Sequence, residues 1–123
     1  MLYIEEGMIA VTRGDDAVLE VDIHTSAGED YQMDPGDTLT LTVRALPSDR
    51  LPVLLALTSA PGSNRLVLRG ADTADLAPGK YSCDIQLEGA DGKRHTVFPG
   101  PGLAAMEYRN WENFIIVPEV TVP

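Results

Sequence analysis

The sequence contains little that could build a catalytic or metal site. Among 123 residues there are one cysteine, Cys83, and two histidines, His24 and His95. A lone cysteine forms neither an internal disulfide nor a metal-binding cysteine cluster, and we expect Cys83 to be buried. The HExxH, GxSxG, CxxC and phosphate-loop patterns are all missing from the sequence. We therefore predict no enzymatic activity, no catalytic residues, no cofactor and no bound metal.

Basic residues are also scarce. Nine Lys and Arg stand against nineteen Asp and Glu, which gives a net charge of −10. Nucleic-acid binding depends on clustered Lys and Arg that release counterions from phosphates, so we expect no nucleic-acid partner. No apolar run approaches the roughly 20 residues of a membrane span, and residues 1–6 lack the cationic start and apolar core of a signal peptide. We expect no membrane association.

The dominant pattern in the sequence is that of β-strands. Residues 17–24, 38–44 and 80–88 alternate apolar and polar side chains with a period of two, as in strands with one buried face. Cys83 falls on the apolar face of its segment. Less regular strand candidates are residues 8–12, 53–58, 65–69, 94–98 and 113–122. Helical patterns are short, at residues 103–111 and in a single turn at residues 72–76.

Turn residues separate these segments. Pro35-Gly36 and Asp91-Gly92 stand between strand candidates, and the second pair predicts a hairpin. A chain of 123 residues with 44% hydrophobic content has the size and composition of one packed domain. We therefore predict one all-β domain over residues 1–123, an antiparallel β-sandwich of about seven to eight strands.

Two loops carry clustered aspartates. One contains Asp30, Asp34 and Asp37, and the other contains Asp15 and Asp16. Neither has the alternating spacing of a calcium loop, and turn capping and solvation account for both. The second loop also spells Arg-Gly-Asp at residues 13–15, a tripeptide known from cell adhesion that turn geometry explains equally well.

The last quarter of the chain holds the best candidate interface. Its members are Tyr108, Trp111, Phe114, Ile115, Ile116 and Val117. Because residues 114–117 are apolar without alternation, they form either an interior strand of a sheet or a strand covered by another protein. Trp and Tyr are enriched at interfaces, and exposed rings would also form a platform for a sugar. An accessory carbohydrate-binding or adhesion module is therefore the alternative function.

The order of several motifs resembles small β modules of phage and prophage tails, as in the N-terminal domain of phage baseplate upper proteins and related immunoglobulin-like tail domains. In chain order the motifs are the Arg-Gly-Asp turn at 13–15, Gly36-Asp37 before the Thr-rich strand at 38–43, GKYSCDIQL at 79–87, the Asp91-Gly92 hairpin and PEVT at 118–121. Residues 99–111 depart from the pattern, because they are longer than the link expected there.

The resemblance implies an immunoglobulin-like sandwich with a structural role. Such a module acts through protein–protein contacts during virion assembly, and its partners are other tail or baseplate proteins. Because tail assemblies are cyclic and repeated, we expect homo-oligomers. The resemblance also implies synthesis in the bacterial cytoplasm and location in the virion, and it supplies no catalytic residues.

Overall fold

The computed structural model describes residues 2–5, 8–24, 28–48, 50–98 and 112–120. In these ranges the chain forms nine strands and one short helix. In chain order they are β1 (Leu2–Glu5), β2 (Met8–Thr12), β3 (Ala17–Glu20), β4 (Thr38–Arg44), β5 (Leu55–Thr58), β6 (Arg65–Leu68), α1 (Gly70–Ala74), β7 (Gly79–Glu88), β8 (Arg94–Phe98) and β9 (Phe114–Val117). The predicted all-β class is confirmed.

The larger of two sheets has the strand order β1-β2-β9-β7-β4-β5. Strand β4 pairs with β7 along one edge of β7, from Ser82 to Glu88. The other edge is shared, because β9 pairs with the first three residues of β7 and β8 pairs with the segment from Ile85 to Glu88. Strand β7 therefore pairs with three other strands, β4, β8 and β9.

The smaller sheet contains β3 and β6, which pair antiparallel. Leu19 of β3 and Leu66 and Leu68 of β6 are buried in the same apolar cluster as side chains of the larger sheet. The two sheets thus form two layers around one core. Burial of these apolar faces supplies the main favourable free energy of such a fold.

Residues with alternating patterns lie where the sequence predicts. Strand β4 has the predicted bounds, and Leu39, Leu41 and Val43 are buried while the threonines between them are half-buried. Cys83 is 4% exposed and is a free thiol. The Asp91-Gly92 hairpin is confirmed, since Glu88 pairs with Arg94 across it.

Three features of the predicted sandwich need correction. The larger sheet is mixed, because β9 runs parallel to β2; β9 reaches β2 from far along the chain, and no hairpin fixes their relative direction. Strand β1 raises the strand count above the predicted range. The strand predicted over residues 17–24 ends at Glu20. The Val21 N–H still donates to the Asn64 carbonyl, but the Val21 carbonyl accepts from the side-chain Nδ2 of Asn64 at 3.2 Å.

The gap between β8 and β9 on the shared edge of β7 is filled by a side chain. The N–H of Cys83 donates to Oδ1 of Asn113 at 2.8 Å, and Nδ2 of Asn113 donates to the carbonyl of Cys83 at 3.0 Å. Asn113 is 6% exposed. Its amide thus completes the hydrogen bonding of a buried backbone position, as a neighbouring strand would.

Candidate interaction sites

The predicted interface residues do not all lie at a surface. Phe114 and Ile116 are each 1% exposed and belong to the core, because β9 lies between β2 and β7. These two side chains are therefore not available to a partner, and the prediction is corrected for them. Ile115 and Val117 are half-buried, so only they keep a described position from which to contact another protein.

The two aromatic residues Tyr108 and Trp111 lie outside the described residues. The same holds for the short helix predicted over residues 103–111. The sugar platform that the sequence suggested for these rings therefore has no described geometry. The single turn predicted at residues 72–76 corresponds to α1, which begins two residues earlier at Gly70.

The Arg-Gly-Asp turn is held within the fold. Arg13 Nη2 lies 3.3 Å from Glu119 Oε1, and the Arg13 N–H donates to the Val117 carbonyl. The Gly14 N–H donates to Oγ1 of Thr73, which is fully buried. A motif whose arginine and backbone are already bound inside the chain is poorly arranged to bind a receptor. Turn formation is the function that these contacts support.

Asp37 accepts two hydrogen bonds from within the fold. Its Oδ2 accepts hydrogen bonds from the Tyr31 hydroxyl at 2.6 Å and from the Asp34 N–H at 2.9 Å. These donors lower the pKa of Asp37 below its ordinary value, while the bond to Asp37 raises the pKa of Tyr31 to about 12. The carboxylate therefore fixes the position of the Tyr31 ring.

Beside Tyr31 lies a polar groove with a volume of about 380 Å³. We call it the acidic groove. It is lined by residues 21–24, residues 30–33, Gly62 and Asn64. Asp22 and Asp30 contribute two carboxylates, and its described lining residues include no Lys or Arg. Val21, Ile23, Tyr31 and Met33 supply partly buried apolar surface that continues into the core.

One histidine lies in this groove. Nδ1 of His24 is 3.1 Å from Oδ1 of Asp30, and both side chains are largely exposed. His95 is exposed on β8. His24 thus has an acidic neighbour, as acid–base chemistry requires, yet both side chains are open to solvent. The groove is better suited to hold a ligand by charge and hydrogen bonds.

The second candidate site is an exposed apolar surface on the connection from β4 to β5. Leu46 is 58% exposed, Val53 is 48% exposed and Leu54 is 37% exposed. Arg50, between them in sequence, is also exposed. We call these four residues the β4–β5 patch. Clustered apolar side chains at a surface mark interaction sites, whereas single ones do not.

Hydrogen bonds connect the described residues of the segment that carries the β4–β5 patch. Arg44 Nη1 donates to the Leu51 carbonyl, the Leu51 N–H donates to the Ser48 carbonyl, and the Ser48 N–H donates to the Leu46 carbonyl. Pro47 and Pro52 further restrict the chain. A partner would therefore find the patch already arranged, with little ordering cost on binding.

Sequence patterns gave at most weak signs of these two sites. The segment of the β4–β5 patch has no period of two or 3.6, so its apolar residues look like part of a strand or of a loop. The acidic groove combines three segments that only the fold brings together. A weak signal was the density of Leu, Val and Pro in residues 46–54, a composition unlike that of a solvated turn.

Two further features are absent from the described ranges. Nowhere in them do three or more His, Cys, Asp or Glu side chains come together as a metal site would require. They also contain no helix with the length and apolar character needed to cross a bilayer.

Comparison with known proteins gives no match. No protein-family model matches the chain, and no curated protein or solved structure matches it significantly. The function of the chain therefore has to be inferred from its own residues and geometry.

Proposed function

We propose that this chain is a non-catalytic structural module of a phage or prophage tail or baseplate, built as an immunoglobulin-like sandwich and acting through protein–protein contacts. The order of the motifs from the Arg-Gly-Asp turn to residues 118–121 suggests this class. The observation that carries the proposed mode of action is the β4–β5 patch. Three large apolar side chains exposed on one ordered loop are unfavourable in water and become favourable when a partner covers them.

The surroundings of the patch also fit an interface. Arg50 adds a charged group of the kind enriched in protein contacts. Strand β5, which follows the patch, is the outermost strand of the larger sheet on that side. Its outer backbone groups are available to a partner that contacts the patch.

The alternative, a carbohydrate-binding or adhesion module, has less support from the described residues. The Arg-Gly-Asp turn is bound inside the fold, and the two aromatic residues proposed as a sugar platform have no described position. Screening the purified chain on a glycan array tests the alternative directly. Specific binding to one glycan class would favour it over the tail module.

Two measurements test the proposal. The genes on either side of the coding sequence should encode tail or tape-measure proteins. Co-expression of the chain with each neighbouring product, followed by size-exclusion chromatography, should give at least one stable complex. Neighbours without a virion role, together with no complex, would contradict the proposal.

A further inference from the structure

We propose that the β4–β5 patch of one copy of this chain docks into the acidic groove of a second copy, so that copies assemble head to tail. This inference rests on the proposed function and deepens it, because it names one protein partner of the module. It follows from the position, the charge and the surface chemistry of the two sites.

The two sites lie at opposite ends of β4. The acidic groove contains residues 30–33, which precede β4, and Gly62, whose N–H donates to the carbonyl of Asp37 just before that strand. The β4–β5 patch begins after Arg44, where the strand ends. Seven residues of strand separate the sites, which corresponds to roughly 20 Å. One copy can therefore present its patch to the groove of the next without the two copies overlapping.

The charges of the two sites are complementary. Arg50 is the charged member of the β4–β5 patch, in a chain with a net charge of −10. The groove presents the carboxylates of Asp22 and Asp30. Two copies with a large negative charge repel each other on average, so an attractive contact requires a local basic group such as Arg50.

The groove is mainly polar but also offers apolar surface. Leu46, Val53 and Leu54 are exposed on the same connection as Arg50, and Ile23 and Met33 supply partly buried apolar surface to the groove. A volume of about 380 Å³ is sufficient for a long side chain such as that of Arg50. Arginine is one of the residues enriched in interface hot spots, which cluster in well-packed pockets.

Contact between two different surfaces has a defined consequence for assembly. When two copies bind in this way, one copy keeps a free groove and the other keeps a free patch, so further copies add to both ends. The assembly closes into a ring if the rotation between copies allows it, and otherwise grows as a filament. A two-fold dimer, by contrast, would stop at two copies.

Sedimentation velocity of the full chain tests the proposal. The wild-type chain should form species larger than twice its mass of 13.3 kDa as its concentration rises to about 1 mM. Arg50→Glu should stay monomeric, and so should a variant with both Asp22→Lys and Asp30→Lys. An equimolar mixture of the two variants should assemble again, because each junction then joins opposite charges.

Controls separate this contact from general effects. Arg69→Glu makes the same charge reversal at an exposed arginine outside the patch, and Val67→Ser removes an exposed apolar side chain from β6. Both should assemble like the wild type. Circular dichroism should show that all variants fold, since every substituted side chain is exposed.

Three results would overturn the proposal: a wild-type chain that stays monomeric throughout, an Arg50→Glu chain that assembles like the wild type, or a mixture of the two variants that fails to assemble. A monomeric chain that still binds a neighbouring tail protein would overturn self-docking and leave the proposed function intact. A chain that assembles with itself but binds no virion protein would overturn the proposed function and leave self-docking intact.

Discussion

Removing the amide of Asn113 should destabilise the fold strongly, because two buried backbone groups lose their only described partners. In Asn113→Ala the N–H and the carbonyl of Cys83 are both left without the bonds of 2.8 and 3.0 Å. An unsatisfied buried polar group costs about 1–3 kcal/mol, so the free energy of unfolding should fall by about 2–6 kcal/mol. Entry of water into the space would place the result near the lower value. The total free energy of unfolding of a domain of this kind is only about 5–15 kcal/mol.

Urea unfolding followed by far-UV circular dichroism measures this effect. With a slope of about 2 kcal/mol per molar urea, the midpoint should fall by roughly 1–3 M. Ser59→Ala is the matched control, because the Ser59 hydroxyl accepts one bond from a buried backbone group, the Leu39 N–H, at 2.9 Å. Ser59→Ala should lower the free energy of unfolding by about half as much as Asn113→Ala does. A loss below about 1 kcal/mol in Asn113→Ala would refute the role given to the amide.

Three further predictions concern single contacts. Tyr31→Phe should raise the pKa of Asp37 toward its ordinary value, so acid unfolding should begin at higher pH. At alkaline pH the wild type alone should lose the stabilisation from Tyr31 between pH 10 and about 12, since folding raises the pKa of that phenol from 10.0 to about 12. Urea unfolding as a function of pH measures both, and identical profiles would contradict the assignment. Cys83 should resist a thiol reagent in native buffer and react in urea, because burial raises its pKa; fast native reaction would show that the thiol is accessible. Gly70→Ala should destabilise by about 1–3 kcal/mol, because a Cβ would clash with the Gly14 carbonyl oxygen, and an unchanged thermal midpoint would refute this clash.

Local patterns in the sequence predict local structure well here. Strand β4 alternates strictly, and its bounds and buried face are as predicted. The lack of alternation in residues 114–117 is explained by their position as β9 between two other strands. Burial alternates along β9, so Phe114 and Ile116 lie on the core face and leave the predicted interface, while Ile115 and Val117 are half-buried on the other face.

Long-range relations were not predictable from the same patterns. The parallel direction of β9 and β2 depends on how the chain returns to the sheet, and nothing within Phe114–Val117 encodes it. A single Asn before a strand gives no sign that it will satisfy Cys83 from 30 positions away. Likewise, the acidic groove exists only because Asn64 lies beside Val21 in the folded chain.

The most direct test of the central claim is to measure how much of the binding free energy comes from the β4–β5 patch. The chain should be titrated by calorimetry with whichever partner forms a stable complex, a neighbouring tail protein or a second copy. Covering two half-exposed aliphatic side chains contributes about 2–3 kcal/mol, so Leu46→Ser with Val53→Ser should weaken binding by roughly 30- to 150-fold.

The matched control changes Val18 and Val67, a directly paired couple on the outer face of the smaller sheet that are 52% and 49% exposed. Replacing both by serine should leave the affinity within about twofold of the wild type. We expect this contrast in affinity between the two double variants. Equal affinity for the patch variant and the wild type would contradict it.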